Sequence, residues 1–162
     1  MRLQFCRLSA GDNPVQYVYM KGVIMKTKVS ETLDQLDSLV NELKASSDEI
    51  GAIAIFVGTV RGKRGNEKVI RLEYEAHETL APKAMKNIIE DAKAKYGLSD
   101  VIVEHRTGVV NVGEDVMYVL VASKHREEAF KAVVEIVNKV KHEVPIWKKE
   151  ITEKGSYWIE NH

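Results

Sequence analysis

The 162 residues suffice for one ordinary domain with a sizeable core and are too few for two comfortable ones. Lysine plus arginine balances aspartate plus glutamate at 24 each, with 44% hydrophobic and 30% charged residues, so the profile is that of a soluble globular chain without the global basic surface of a nonspecific nucleic-acid binder. A single cysteine, Cys6, precludes an internal disulfide framework, and no apolar run approaches the roughly 20 residues of a membrane span, so a reducing, cytoplasmic setting is expected and any anion site must be local.

Residues 1–24 are weakly patterned and are expected to form an N-terminal appendage to a main domain over 25–162. Within them Gly11-Asp12-Asn13-Pro14 reads as a turn, and Val15, Tyr17 and Tyr19 alternate as a short strand would. Ser30 is a candidate helix cap, followed by Leu33, Leu36, Val40 and Leu43 at helical spacing. The run from Gly51 to Val57 is apolar on both faces and reads as a buried strand opening into a glycine- and cation-rich loop, Gly58 to Gly65. Ile70, Leu72 and Tyr74 alternate with Arg71, Glu73 and Glu75, the pattern of a half-buried strand.

Pro82 suits a first helical turn, Met85, Ile88, Ile89, Ala92 and Tyr96 mark a helical face, and Gly97 is a natural stop. Val101 to Val103 and Val116 to Ala122 read as strands around the Gly113-Glu114-Asp115 turn. A third helix is predicted from about Arg126 to Lys141. Pro145 forbids its continuation, and Tyr157-Trp158-Ile159 suggests a last strand. Strands and helices are interspersed without the regular alternation of a doubly wound sheet, which gives a single α+β domain with three main helices and a mixed or antiparallel sheet.

Lys141 is the most informative residue. Phe130, Val133, Val134 and Val137 form the apolar stripe of the third helix, and at about 100° per residue Lys141 falls roughly 20° from Phe130, on that stripe. A last-turn lysine complementing the helix dipole is the structural alternative. Lys148 follows in the stiff segment Pro145-Ile146-Trp147-Lys148-Lys149-Glu150, whose direction is able to bring it back toward Lys141. Two ammonium groups at one cleft suit a phosphate or carboxylate, and desolvation would ease loss of a proton from either. A solvated pair of charges is again the alternative.

Arg61, directly after a buried strand in a glycine-flanked turn, is a second anion candidate. His125-Arg126, at the junction of strand and helix, is a third, because helix N-termini collect anions, against the alternative of a plain helix start with an incidental histidine. Lys63 and Arg64 read as the tip of a basic hairpin. Other motifs fail. His77-Glu78 lacks a second histidine at position 81, where Ala81 stands. The histidines and Cys6 have no metal-ligand spacing, and neither a serine elbow nor a dinucleotide fingerprint occurs. No resident metal or cofactor is expected.

Phe56-Val-Gly-Thr-Val-Arg61-Gly62, Leu72-Glu-Tyr74-Glu75, His105-Arg106-x-Gly108, Gly113-Glu114, His125-Arg126 with Ala129-Phe130, Lys141, and Pro145 to Glu150 occur in an order that, with the late Gly155 and Trp158, resembles the large subunit of molybdopterin synthase. The resemblance spans about Gly51 to Ile159. It implies an α/β-hammerhead fold and a heterotetramer, in which a homodimer of large subunits carries a small ubiquitin-like sulfur carrier at each end. The carrier's C-terminal Gly-Gly thiocarboxylate would supply two sulfurs to cyclic pyranopterin monophosphate, giving the dithiolene of molybdopterin.

By the same resemblance Lys141 and Lys148 fall on the family's two active-site lysines. Thr59, Val60 and Arg61, His125 and Arg126, and Lys148, Lys149 and Glu150 fall on its substrate-contacting segments, and Phe56 matches a pocket aromatic. Val137 stands where some members have methionine, and the chain stops at His162 near where some place a further pocket arginine. The reading of another class is a noncatalytic anion- or nucleotide-binding regulatory module, in which the lysines serve only as ligands.

Overall fold

The computed structural model describes residues 16–20 and 23–159, with side-chain surroundings from residue 25 onward. Most of the expected appendage therefore lies outside the described residues. Its short strand is seen as β1 (Gln16–Met20), paired antiparallel with β2 (Val23–Ser30). There follow α1 (Leu36–Ser46), β3 (Ala52–Thr59), β4 (Lys63–Arg64), β5 (Glu67–Ala76), α2 (Leu80–Tyr96), β6 (Asp100–Arg106), β7 (Gly108–Asn111), β8 (Asp115–Ser123), α3 (Arg126–Glu143), β9 (Ile146–Thr152) and β10 (Gly155–Ile159).

These strands make two sheets of an α+β domain. The first has the order β1-β2-β6-β8-β3, with β2 parallel to β6 and the other neighbours antiparallel. The second runs β10-β9-β5-β4, with β7 also paired to β5, and is antiparallel throughout.

The first sheet is covered on both faces, so its central strands are buried end to end, and strand period decides which core each side chain joins. Val101 and Val103 of β6 and Met117, Val119 and Val121 of β8 point to the side of α2 and α3. There they pack with Met85, Ile88, Ile89, Ala132, Ile136 and Val140. Ile102, Tyr118, Leu120 and Ala122 point the other way, onto Leu39 and Leu43 of α1. Each fully buried leucine, isoleucine or valine contributes about 1.5–3 kcal/mol.

The α1 side also holds a buried ionic network. Lys26 Nζ lies 2.7 Å from Asp34, 3.3 Å from Glu42 and 3.5 Å from Glu104. Glu104 is fully buried, and its Oε2 accepts the Asp34 backbone N–H at 2.8 Å. Desolvation raises the Glu104 carboxyl, whereas hydrogen bonds and charge from Lys26 and Lys28 overcome desolvation at Asp34 and hold it at about 2.

Four sequence expectations are corrected. Ser30 ends β2 rather than capping a helix. Its hydroxyl donates to the Thr32 carbonyl at 2.7 Å, and α1 begins after Gln35 without a side-chain cap. β2 itself was not foreseen. On β5 the register slips between Val69 and Arg71, a bulge at Ile70. Val69 and Leu72 are consequently both buried while Ile70 is 48% exposed, against a strict alternation from Ile70. On α3 the buried residues are Ala129, Ala132, Ile136, Val137 and Val140, whereas Phe130 and Val134 are 61% and 60% exposed. The buried face is rotated from the expected stripe but keeps Val137 in the core and Val133 at its margin, so Lys141 is not on the buried stripe but at its edge, beside Val140.

Candidate active site

Between the two sheets, at the C-terminal end of α3, lies a cavity of about 380 Å³, within the range of small-molecule sites. β3 supplies Phe56, Gly58 and Thr59, and the loop beyond it supplies Arg61. Lys63 of β4, Leu72 and Tyr74 of β5, and His105 of β6 line it further. β8 gives Val116 and Met117, α3 gives Val140 and Lys141, and β9 gives Ile146, Lys148 and Glu150.

Strand pairing fixes much of this list. β9 runs antiparallel to β5 with Lys148 opposite Tyr74 and Glu150 opposite Leu72. Residues two apart share a face, so those four side chains face inward together. Lys149 points to the other side, where its Nζ sits 5.8 Å from the Trp158 ring centre. Pro145 makes the geometry possible: α3 ends at Glu143, and the next residues turn into β9 instead of another helical turn. Lys141 and Lys148 thus reach one cavity from two elements. The Lys141 ammonium stands 5.3 Å from the centre of the Phe56 ring, a cation–π contact.

The cavity is cationic. Arg61, Lys63, Lys141 and Lys148 meet one carboxylate, Glu150, whose Oε1 is 3.3 Å from Arg64 Nε. Lys148 titrates below the ordinary lysine value. Burial is the largest cause and the charges of Lys141 and Arg61 add to it, against an opposing pull from Glu150. Burial, with the charge of Glu150, pushes the Tyr74 phenol up to about 12, so it stays a neutral donor. Burial holds His105 down at about 4, with the charges of Lys141 and Lys148 acting in the same direction.

Of the residues singled out from sequence, Phe56, Thr59, Arg61, Lys141, Lys148 and Glu150 line this cavity. Val60, Lys149, His125 and Arg126 do not. Val60 is 3% exposed and belongs to the core. His125 and Arg126 lie beyond the far end of the β3–β8 ladder, which pairs Ala52 with Ser123 there and Thr59 with Asp115 at the cavity end. Eight strand residues rising about 3.3 Å each separate the two ends by on the order of 20 Å, so one chain's Arg61 and Arg126 do not meet on one small ligand. Val137 is buried at 8%, and its neighbour Val140 takes the lining position. Lys63, Tyr74 and His105 were not assigned roles from sequence. Tyr74 and His105 stood inside quoted motifs, and motif membership was the only signal for them.

The family model described as MoaE protein matches residues 29–143. A molybdopterin synthase catalytic subunit from Pyrococcus abyssi is 42% identical over 137 residues, covering 83% of this chain and 93% of its own. Among solved structures, molybdopterin synthase from Staphylococcus aureus superposes with a TM-score of 0.77 at 29% identity, over 88% of this chain and 99% of that one. A complex of subunits 1 and 2 of molybdopterin-converting factor from Helicobacter pylori contains a chain of the same fold, with a TM-score of 0.66 at 24% identity over 85% of this chain and 91% of that one. The chain belongs to the MoaE family of molybdopterin synthase catalytic subunits. It is accordingly an enzyme subunit of molybdenum-cofactor biosynthesis.

Proposed function

We propose that this chain converts cyclic pyranopterin monophosphate to molybdopterin, taking two sulfurs from the C-terminal thiocarboxylate of a small ubiquitin-like carrier. The observation that carries the reading is the convergence of Lys141, Lys148 and Arg61 on one cavity of about 380 Å³. Arg61 offers a planar, permanently charged fork for the phosphate. Lys141, at the rim over Phe56, is placed to meet an extended Gly-Gly tail. When the carrier's C–S bond breaks, the acyl group passes either to the Lys141 amine or to water with Lys141 stabilising the charge, and the sulfur bonds to the pterin side chain as a C–O bond of the cyclic phosphate opens. Lys148 is the proton-handling lysine: its depressed pKa makes the free amine accessible at lower cost than for a solvated lysine.

The assembly we propose is a homodimer of this chain with one small carrier at each end, in the cytoplasm, without nucleic acid or membrane contact. The two-subunit complex of the Helicobacter pylori relative supports the small partner, and among the described residues no helix is long and apolar enough to cross a membrane. His125 and Arg126 keep a proposed substrate-contacting role only at a site other than their own chain's cavity.

Reconstitution with thiocarboxylated carrier and cyclic pterin tests the reading. Wild type is expected to give dithiolene product, and Lys141→Ala and Lys148→Ala are each expected to lose at least about a hundredfold in rate. Substrate binding without turnover by the wild-type complex would instead indicate a noncatalytic anion-binding module.

A further inference from the structure

His105 is the buried titratable group that this mechanism leaves unused. It sits on β6 with its side chain on the α2 and α3 side, in the same alternation as Val101 and Val103, and it lines the cavity although only 8% exposed. One edge of the ring is committed to the fold. Nδ1 lies 2.7 Å from the Arg106 carbonyl oxygen, and since a carbonyl only accepts, Nδ1 carries the proton. The ring also meets Tyr74 edge-on, with centroids 5.2 Å apart. In a neutral imidazole so pinned, Nε2 has a lone pair and no hydrogen.

The charged and titratable groups sharing the cavity with it come from every surrounding element: Tyr74 of β5, Lys141 of α3, Lys148 and Glu150 of β9, Lys63 of β4 and the Arg61 loop. All but Glu150 are donors, and Glu150 lies beside Arg64. Cations can hold the anionic end of a ligand but accept no hydrogen bond from its N–H and O–H groups; the lining side chains that can accept one are Glu150, the Tyr74 and Thr59 hydroxyls, which also donate, and His105 Nε2. Burial among these cations keeps His105 uncharged at working pH.

We propose that His105 is a positioning residue whose Nε2 accepts a hydrogen bond from a ring N–H or hydroxyl of the anionic heterocyclic substrate, setting its orientation against Lys141 and Lys148. The proposal rests on the sulfur-transfer reading for the identity of that substrate. Its readout is equilibrium binding, which does not require transfer to occur.

The test is the affinity of the chain, assembled with its unthiolated carrier, for cyclic pyranopterin monophosphate. His105→Asn places an amide N–H where Nδ1–H was and removes Nε2, while His105→Gln places a carbonyl oxygen near the Nε2 position. Affinity is expected to fall about tenfold in the asparagine variant, the loss of one neutral hydrogen bond, and to recover at least in part in the glutamine variant. In the wild type, the Nε2 nitrogen resonance is expected to move on binding. Unchanged affinity in His105→Asn, equal losses in the Asn, Gln and Phe variants, or a static Nε2 resonance would each overturn the role. Wild-type protein that fails to bind this substrate would overturn both readings. Wild type that binds but never transfers sulfur would overturn the enzymatic reading alone.

Discussion

His105 also makes a sharp prediction about folding. The ring is held at about 4 in the folded chain, against 6.5 when it is free in water. Between those values the unfolded chain takes up a proton that the folded chain refuses, so stability falls as pH drops through that window and is fully present above it. A displacement from 6.5 to about 4 corresponds to about 3 kcal/mol, a large share of a typical domain's stability. Carboxylates held at about 2, Asp34 and Glu135, lose stabilisation in more acid solution, so the wild-type curve alone mixes several groups. His105→Asn isolates the ring, because asparagine does not titrate and every other group is common to both proteins. Urea unfolding at closely spaced pH values from 7.5 to 4 is expected to show wild type losing about 2–3 kcal/mol more than the variant across the range. Parallel curves would refute the claim that His105 is buried as a neutral ring. Any constant offset between such parallel curves would report the lost Tyr74 contact and leave that refutation standing.

Arg61→Ala is expected to weaken cyclic pterin monophosphate binding about ten- to a hundredfold, the range of charge-assisted hydrogen bonds to phosphate, and to flatten its salt dependence in calorimetric titration. Lys26→Met, which removes the cation beside the fully buried Glu104, is expected to cost about 3–5 kcal/mol in denaturant unfolding. The double variant with Glu104→Gln is expected to recover part of that loss.

Most of the architecture was legible because apolar periodicity reports burial directly. α2 ran to Tyr96 and stopped at Gly97, whose φ of 62° and N–H bond to the Lys93 carbonyl are those of a left-handed cap. β6 and β8 were visible as runs apolar on both faces. β2 was missed because its inward residues on the α1 side are Lys26 and Lys28, 3% and 8% exposed. Met25 and Val29 pack on the opposite core, but with lysines on the α1 face the strand has too few apolar residues to stand out, and the distant carboxylates Asp34, Glu42 and Glu104 explain that ionic face. The α3 stripe held only in part. Helical spacing gives two candidate faces, Phe130 with Val134 and Ala129 with Ala132 and Ile136. The core took Ala129, Ala132, Ile136, Val137 and Val140, so of the expected stripe Val137 is buried and Val133 packs at the edge while Phe130 and Val134 face outward. The site was partly legible: spacing left open whether Lys141 and Lys148 share a cleft or are solvated charges, and the family resemblance favoured the cleft. That β9 would return antiparallel along β5, selecting Lys148 and Glu150 and turning Lys149 away, is a long-range pairing that local sequence does not encode.

A zero formal net charge conceals a strongly polarised molecule. One end of the domain gathers Arg61, Lys63, Lys141 and Lys148 around a single carboxylate, while the α1 face sets three carboxylates, the buried Glu104 and the partly exposed Asp34 and Glu42, against Lys26 and Lys28. The two faces of β6 carry both environments: Glu104 points into the acidic network, and the next residue, His105, points into the cationic cavity. Because successive strand residues face opposite ways, a single strand separates the two and holds each side chain in place through the same backbone ladder to β2 and β8. Mutual repulsion among the cavity cations is thus opposed by a well-buried scaffold together with the one local counter-charge, Glu150. An anionic ligand entering the cavity relieves that repulsion while displacing little besides water. The fold therefore supplies preorganised positive charge, for which the phosphate of the proposed substrate would be a further negative partner.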